Sequence, residues 1–227
     1  MLLVRRWLDR GPVRPLTGLL ALALAACGGS GGSGRPRVLV LTSTLGAEAA
    51  IEGTRDGPGN ILEVTGGLDV GDREANPVNA QKGPVKSFLS FDLSPIPANA
   101  TITAATLRLY LVTVQGSPIT ALGNVVADML NYGGTFPDSF SYVGNNILGN
   151  LAQAASSATL GVHTCSVTFG VTQARVLNLG RFQLRLRFAN ADQNFDGQDT
   201  RMEFEDAENS LGSSQVPQLI VTYEIPN

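Results

Sequence analysis

Arg181-Phe182-Gln183-Leu184-Arg185-Leu186-Arg187-Phe188-Ala189 alternates polar and apolar side chains without a break. On an extended backbone successive side chains point to opposite faces. Phe182, Leu184, Leu186 and Phe188 therefore share one face, and Arg181, Gln183, Arg185 and Arg187 the other. A helix would scatter both sets around its circumference, so the stretch reads as a half-buried strand. The same period runs through Thr106 to Val114, with Leu107, Leu109 and Leu111 inward, and through Gln218 to Glu224, with Leu219, Val221 and Tyr223 inward. Further runs at Val38 to Thr42, Ile61 to Val64, Val85 to Leu93, Val125 to Met129, Phe140 to Val143 and His163 to Val171 are separated by Gly, Pro, Asn and Asp turns. Leu148 to Ser157 alone reads as a short helix. Short strands with no alternating helices predict an all-β chain: an antiparallel β-sandwich, jelly-roll type, with at most one short helix.

Composition points the same way. The 227 residues are 43% hydrophobic and 15% charged with 26 glycines and 12 prolines, enough apolar material for a large core and too little charge for a coiled coil or a disordered chain. A formal charge of -3 without a basic cluster gives no electrostatic footprint for nucleic acid.

The N-terminus carries an address. Arg5, Arg6, Arg10 and Arg14 precede the apolar run Leu16 to Ala26, which ends at Leu24-Ala25-Ala26-Cys27. The run is too short to span a bilayer and reads as a signal-peptide core. Small residues leading directly to a cysteine, followed by Gly28-Gly29-Ser30-Gly31-Gly32-Ser33-Gly34, resemble the bacterial lipoprotein signal. That resemblance implies cleavage before Cys27, acylation of Cys27, and lipid anchorage to the cell envelope, at the outer membrane in a diderm cell. Residues 1–26 would then be the signal peptide, 27–36 the lipidated cysteine and tether, and 37–227 one domain. Cleavage removes four arginines and Asp9 and leaves 12 basic against 18 acidic side chains, a formal charge of -6. With Cys27 acylated, Cys165 has no cysteine to pair with and reads as a small buried hydrophobe.

Phe88-Leu89-Ser90-Phe91-Asp92-Leu93-Ser94-Pro95-Ile96-Pro97, then Ala100-Thr101-Ile102, then Ala104-Ala105-Thr106-Leu107-Arg108-Leu109-Tyr110, form a recognisable succession. Pro217-Gln218-Leu219-Ile220-Val221-Thr222-Tyr223 closes it. Together they resemble the DNRLRE-domain family, with Val167-Thr168-Phe169-Gly170-Val171-Thr172 as a weaker middle match. The resemblance implies a jelly-roll sandwich akin to carbohydrate-binding modules, some associated with alginate and other acidic polysaccharides. The matching positions are core and turn residues, so they speak to fold more than to ligand.

Two candidate sites follow from the residues. Asp192, Asn194, Asp196, Gln198, Thr200 and Glu203, with Gly197 at the turn, fit the twelve-residue calcium-loop spacing and make calcium the expected cofactor. The flanking segments read as strands, so an ordinary Asp- and Asn-rich hairpin turn fits as well. Arg181, Arg185 and Arg187 form a ladder at about 7 Å per two-residue step, which with Arg108 could hold uronic-acid carboxylates. A solvated sheet face with cross-strand Asp or Glu partners is the alternative.

Catalysis has little support. His163 is the only histidine, so neither a His-based triad nor a Cys/His zinc cluster can be assembled. Glu203, Glu205, Asp206 and Glu208 read as a solvated acidic run. Trp7, the only tryptophan, would leave with the signal peptide, and stacking on a neutral sugar would fall to Tyr110, Tyr132 or Tyr142. The chain is thus expected to be a non-enzymatic, lipid-anchored binding module for polysaccharide, with membrane contact through its N-terminal lipid. The alternative is a structural or assembly lipoprotein contacting other envelope proteins.

Overall fold

Alternating side chains become a sandwich once each strand finds a neighbour, and the pairings are all antiparallel. The computed structural model describes residues 34–43, 49–54, 57–64, 67–73, 84–133, 144, 146–190, 196, 198–207 and 214–226, with backbone alone for 49–54 and 57–64. The signal sequence, Cys27 and the Phe140 to Val143 segment lie outside the described residues.

The strands are β1 (Arg37–Thr42), β2 (Ala49–Thr54), β3 (Gly57–Val64), β4 (Leu68–Arg73), β5 (Pro84–Asp92) and β6 (Thr101–Gln115). After helix α1 (Pro118–Leu122) come β7 (Val125–Leu130), β8 (Leu148–Ala155) and β9 (Gly161–Ser166). Helix α2 (Thr168–Val176) precedes β10 (Arg181–Phe188), β11 (Asp199–Phe204) and β12 (Gln218–Glu224). Neighbours run β1-β12-β6-β11-β4-β5-β10-β7-β8, with β9 on β6 and β2 between β5 and β3. β4 meets β5 at Gly71–Val85 and Asp72–Pro84.

The compact unit Gly32–Asn227 holds its own core. Leu107, Leu109 and Leu111 of β6, Leu219 and Val221 of β12, and Met202 and Phe204 of β11 lie within one cluster with Leu89, Phe91, Phe182, Leu184, Leu186 and Phe188. Gly71 has φ +128, and a β-carbon there would overlap the Thr200 carbonyl oxygen, so the β4–β11 pairing requires glycine.

Two expected elements change type. Leu148–Ala155 is a strand on β7, not a helix: Asn150 has φ 49, and its N–H donates to Asp128 Oδ1 at 2.8 Å, neither compatible with a helix interior. Sheet pairing thus overrides the alanine-rich composition. In the other direction, the strand expected at His163 to Val171 stops at Ser166. Gly170, Val171 and Ala174 are buried on one face of α2, at a spacing that suits a helix lying on the core. Among the described residues two helices therefore accompany the strands. The turn after α2 places Asn178 at φ 53, with Leu179 N–H donating to the Ala174 carbonyl, a left-handed helix ending that asparagine tolerates.

Candidate functional site

The polar face of β10 is built on its neighbours β5 and β7. Arg185 stands opposite Asp128 in the β7 register and is only 2% exposed. Its Nη2 donates to Asp128 Oδ2 at 2.7 Å and to Asn146 Oδ1 at 2.8 Å. Arg187 donates from Nε to Asp128 Oδ2 at 2.8 Å and from Nη2 to Asn150 Oδ1 at 2.7 Å. Burial of Asp128 would raise its pKa. Donation from Arg187, the Asn150 N–H and Arg185 outweighs it and holds the carboxyl below its ordinary value.

The expected open ladder is therefore corrected. Arg185 and Arg187 are neutralised by a cross-strand aspartate, as the alternative reading held, and Arg185 is buried rather than solvated. Asp128 was the residue missed. A lone carboxylate inside Val125-Val126-Ala127-Asp128-Met129-Leu130 is its sequence signal, because a buried charge demands a partner. Arg108 lies on β6, away from β10 in the strand order, and donates to the Ser214 carbonyl and to Gln218 Oε1.

Arg181 differs from the other three. Its Nε donates to Ser90 Oγ at 2.6 Å, while its buried Nη2 has no hydrogen-bond partner among the described residues. Arg181 lines a groove of about 320 Å³ with Asn131, Gly133, Asn178, Leu179 and Gln183. A second groove of about 490 Å³ lies across the α2–β10 turn and shares Asn178, Leu179 and Gly180 with the first. Thr101, Ile102, Thr172, Arg175 and Val176 help to line it. Arg175 is occupied there by donation to the Ile96 and Pro97 carbonyls. The asparagine and glycine of Asn178-Leu179-Gly180 signalled a turn, but not that two grooves would meet on it.

The calcium-loop residues do not converge among the described residues. Asp192 and Asn194 lie outside them, and Asp196 is exposed, accepting the Gln198 N–H at 2.9 Å in a local turn. Thr200 and Glu203 are separated by the strand itself. Thr200 is buried on the side of Met202 and Phe204, whereas Glu203 projects with Asp199 and Arg201 from the other face. The spacing template needs both to face one ion, which a helix allows and β11 does not. No group of three or more His, Cys, Asp or Glu among the described residues is arranged to hold a metal.

Glu203 instead joins a charged strip across β4 and β11. It pairs in register with Asp69, whose carboxylate accepts from Arg201. Burial and the charge of Asp69 push the Glu203 carboxyl up. Glu205 is 1% exposed and neither carboxylate oxygen has a hydrogen-bond partner among the described residues, so the acidic run is not wholly solvated. Burial first, then Asp206 and Glu203, raises its pKa. A raised carboxyl binds its proton more readily in the folded chain, so its ionised form opposes folding near neutral pH and stops doing so below the unfolded value, about 4.3. Glu205→Gln should accordingly raise stability by about 1 kcal/mol at neutral pH. The gain should vanish near pH 4, as thermal melts across that range would show. Glu208 lies outside the described residues.

The remaining chemically notable side chains are engaged. Cys165 is half-buried against the core, and burial pushes its thiol up to about 11. The ring of His163 donates from Nε2 to the Thr159 carbonyl at 2.8 Å and meets Phe204 edge-on. Tyr132 donates its hydroxyl to the Leu89 carbonyl and meets Phe88 edge-on, Tyr110 is half-buried, and Tyr142 lies outside the described residues.

Comparison with protein-family models and with curated proteins finds no match to this chain.

Proposed function

We propose that this chain is a lipid-anchored, extracytoplasmic module that binds an acidic polysaccharide without cleaving it, the sugar lying along the paired grooves at Asn178 to Gly180. The reading is supported chiefly by Arg181: of the four arginines expected to meet ligand, it lines an open groove and has a guanidinium nitrogen without a hydrogen-bond partner among the described residues. A sugar carboxylate in the groove would be drawn to the charge of this guanidinium. Asn131 and Asn178 bring amide groups suited to hydroxyls, and the apolar Ile102 and Val176 suit a ring face. The likeness to the DNRLRE-domain family and the lipoprotein signal agree with a polymer ligand met outside the cytoplasm. Calcium has no part in this reading.

Affinity electrophoresis against alginate, pectate and a neutral glucan tests it. The acidic polymers should retard the chain, and Arg181→Gln should weaken that retardation about tenfold, the usual worth of a hydrogen bond to a charged group. Preferential retardation by the glucan, or no change in the variant, would overturn it. One observation favours a different class. Phe169, Val176 and Leu177 are 60%, 66% and 49% exposed around α2, an apolar surface that a structural or assembly lipoprotein could turn toward another envelope protein. In that case no polymer retards the chain.

A further inference from the structure

The arginines of β10 meet different partners. Arg185 and Arg187 share the Asp128 carboxylate, whereas Arg181 pairs with no carboxylate among the described residues. Asp92 stands opposite Arg181 in the β5 register, but its carboxylate accepts from the N–H and the hydroxyl of Ser94, both at 2.9 Å. Those two bonds are the chief reason the Asp92 pKa is lowered, and Arg181 is the least.

What holds Arg181 in place is neutral. Ser90, 0% exposed on β5, accepts from Arg181 Nε at 2.6 Å and from Gln183 Nε2 at 3.2 Å. Gln183 stands opposite Ser90 in the register and is 1% exposed. Its Oε1 accepts the Tyr132 N–H at 2.8 Å, and because a backbone N–H can only donate, that contact fixes which way the amide points. Nε2 then faces two acceptors, Ser90 Oγ and the Gly133 carbonyl. Two N–H donors occupy both lone pairs of the Ser90 hydroxyl, which is thus anchored from two sides. Gly133 and Gln183 line the groove with Arg181, so one amide ties the groove wall to the support of the arginine.

A carboxylate in place of that amide would act differently. Position 183 lies about 7 Å along the strand from position 181 and on the same face, within reach of a guanidinium side chain. An acid there would pair with Arg181 as Asp128 pairs with Arg185 and Arg187. A paired guanidinium presents little net charge to a third group.

We infer that Ser90 and Gln183 are positioning residues of the groove: a hydroxyl anchored by an amide holds the Arg181 guanidinium without neutralising it and leaves its charge to a carboxylate on the ligand. This role rests on the acidic-polysaccharide reading of the groove and supplies the reason the site selects charge. Of the three arginines on one strand face, two are cancelled by Asp128, and one is supported without being cancelled.

Affinity electrophoresis in pectate, read against a polymer-free gel, tests this. Ser90→Ala removes the hydroxyl and adds no charge. It should weaken retardation about threefold, and in an Arg181→Gln background it should have no effect, because the hydroxyl acts through that arginine. A merely structural role would add its loss in both backgrounds. Gln183→Glu keeps the shape and cancels the charge, so it should weaken retardation about tenfold, as Arg181→Gln does. A thermal melt checks that this variant folds, and Ser90→Ala decides the matter if it does not. Unchanged retardation in Ser90→Ala or in folded Gln183→Glu, or a Ser90→Ala loss that persists without Arg181, would overturn the inference while the reading of the groove stands. A parent that pectate does not retard, or an unaffected Arg181→Gln, would remove both.

Discussion

Asp128→Ala should cost the sandwich about 3–5 kcal/mol, because it leaves the buried Arg185 and the partly buried Arg187 facing one another without their shared carboxylate. For a domain of this size the thermal midpoint should fall by roughly 10 °C or more. The loss has two parts. The carboxylate is 0% exposed and accepts from both guanidinium groups and from the Asn150 N–H, so its removal orphans donors on β10 and β8 at once. Arg185→Ala should be less damaging, since Arg187 and the Asn150 N–H still hold the carboxylate. If the network is replaced as a unit, with Asp128→Leu, Arg185→Met and Arg187→Met, much of the stability should return, because no unpaired charge is then left inside.

The pH dependence of this first effect is fixed in sign. The folded pKa of Asp128 lies below its ordinary value, so its contribution is fully present above the unfolded carboxylate pKa of about 3.9 and is lost only as pH falls through the lower folded value. The gap between parent and Asp128→Ala should thus stay constant from neutral pH to about pH 4 and narrow below it. Glu205→Gln should behave oppositely, its advantage disappearing on the way down to pH 4. A stability change for Asp128→Ala of under about 1 kcal/mol at neutral pH would show that the network is not closed in solution.

Cys27→Ala should move the chain from an acylated, membrane-held form to an uncleaved precursor. The expected parent carries acyl chains on Cys27, and two or more chains hold a protein firmly where one does so only reversibly. Mass spectrometry of the N-terminus separates the outcomes: the parent should begin at a lipid-modified Cys27, and the variant should retain residues 1–26 or be released without lipid. Identical N-terminal masses and identical partition into detergent would sink the lipoprotein reading.

Local patterning alone determined most of the strands. Gln218–Glu224 is found with the bounds its alternation implies, and Arg181–Phe188, Pro84–Asp92 and Val125–Leu130 lie within a residue or so of theirs. Period two is a property of neighbouring residues on one backbone, and it survives into any fold that buries one face. What the opposite face meets is not a local property. Arg185 and Arg187 read as an open ladder until β7 placed Asp128 across from them. Thr200 and Glu203 kept calcium-loop spacing until β11 turned them to opposite sides. Leu148–Ala155 carried helix formers, yet pairing with β7 and the Asn150–Asp128 bond made it a strand. Thr168–Val176 carried β-branched residues, yet Gly170, Val171 and Ala174 found the core on a helical face. The groove beside Arg181 joins residues far apart in the chain, Asn131 with Asn178 to Gln183. Such convergence is set by which strands pack together, because burial and pairing energies are assigned by tertiary neighbours rather than by sequence neighbours.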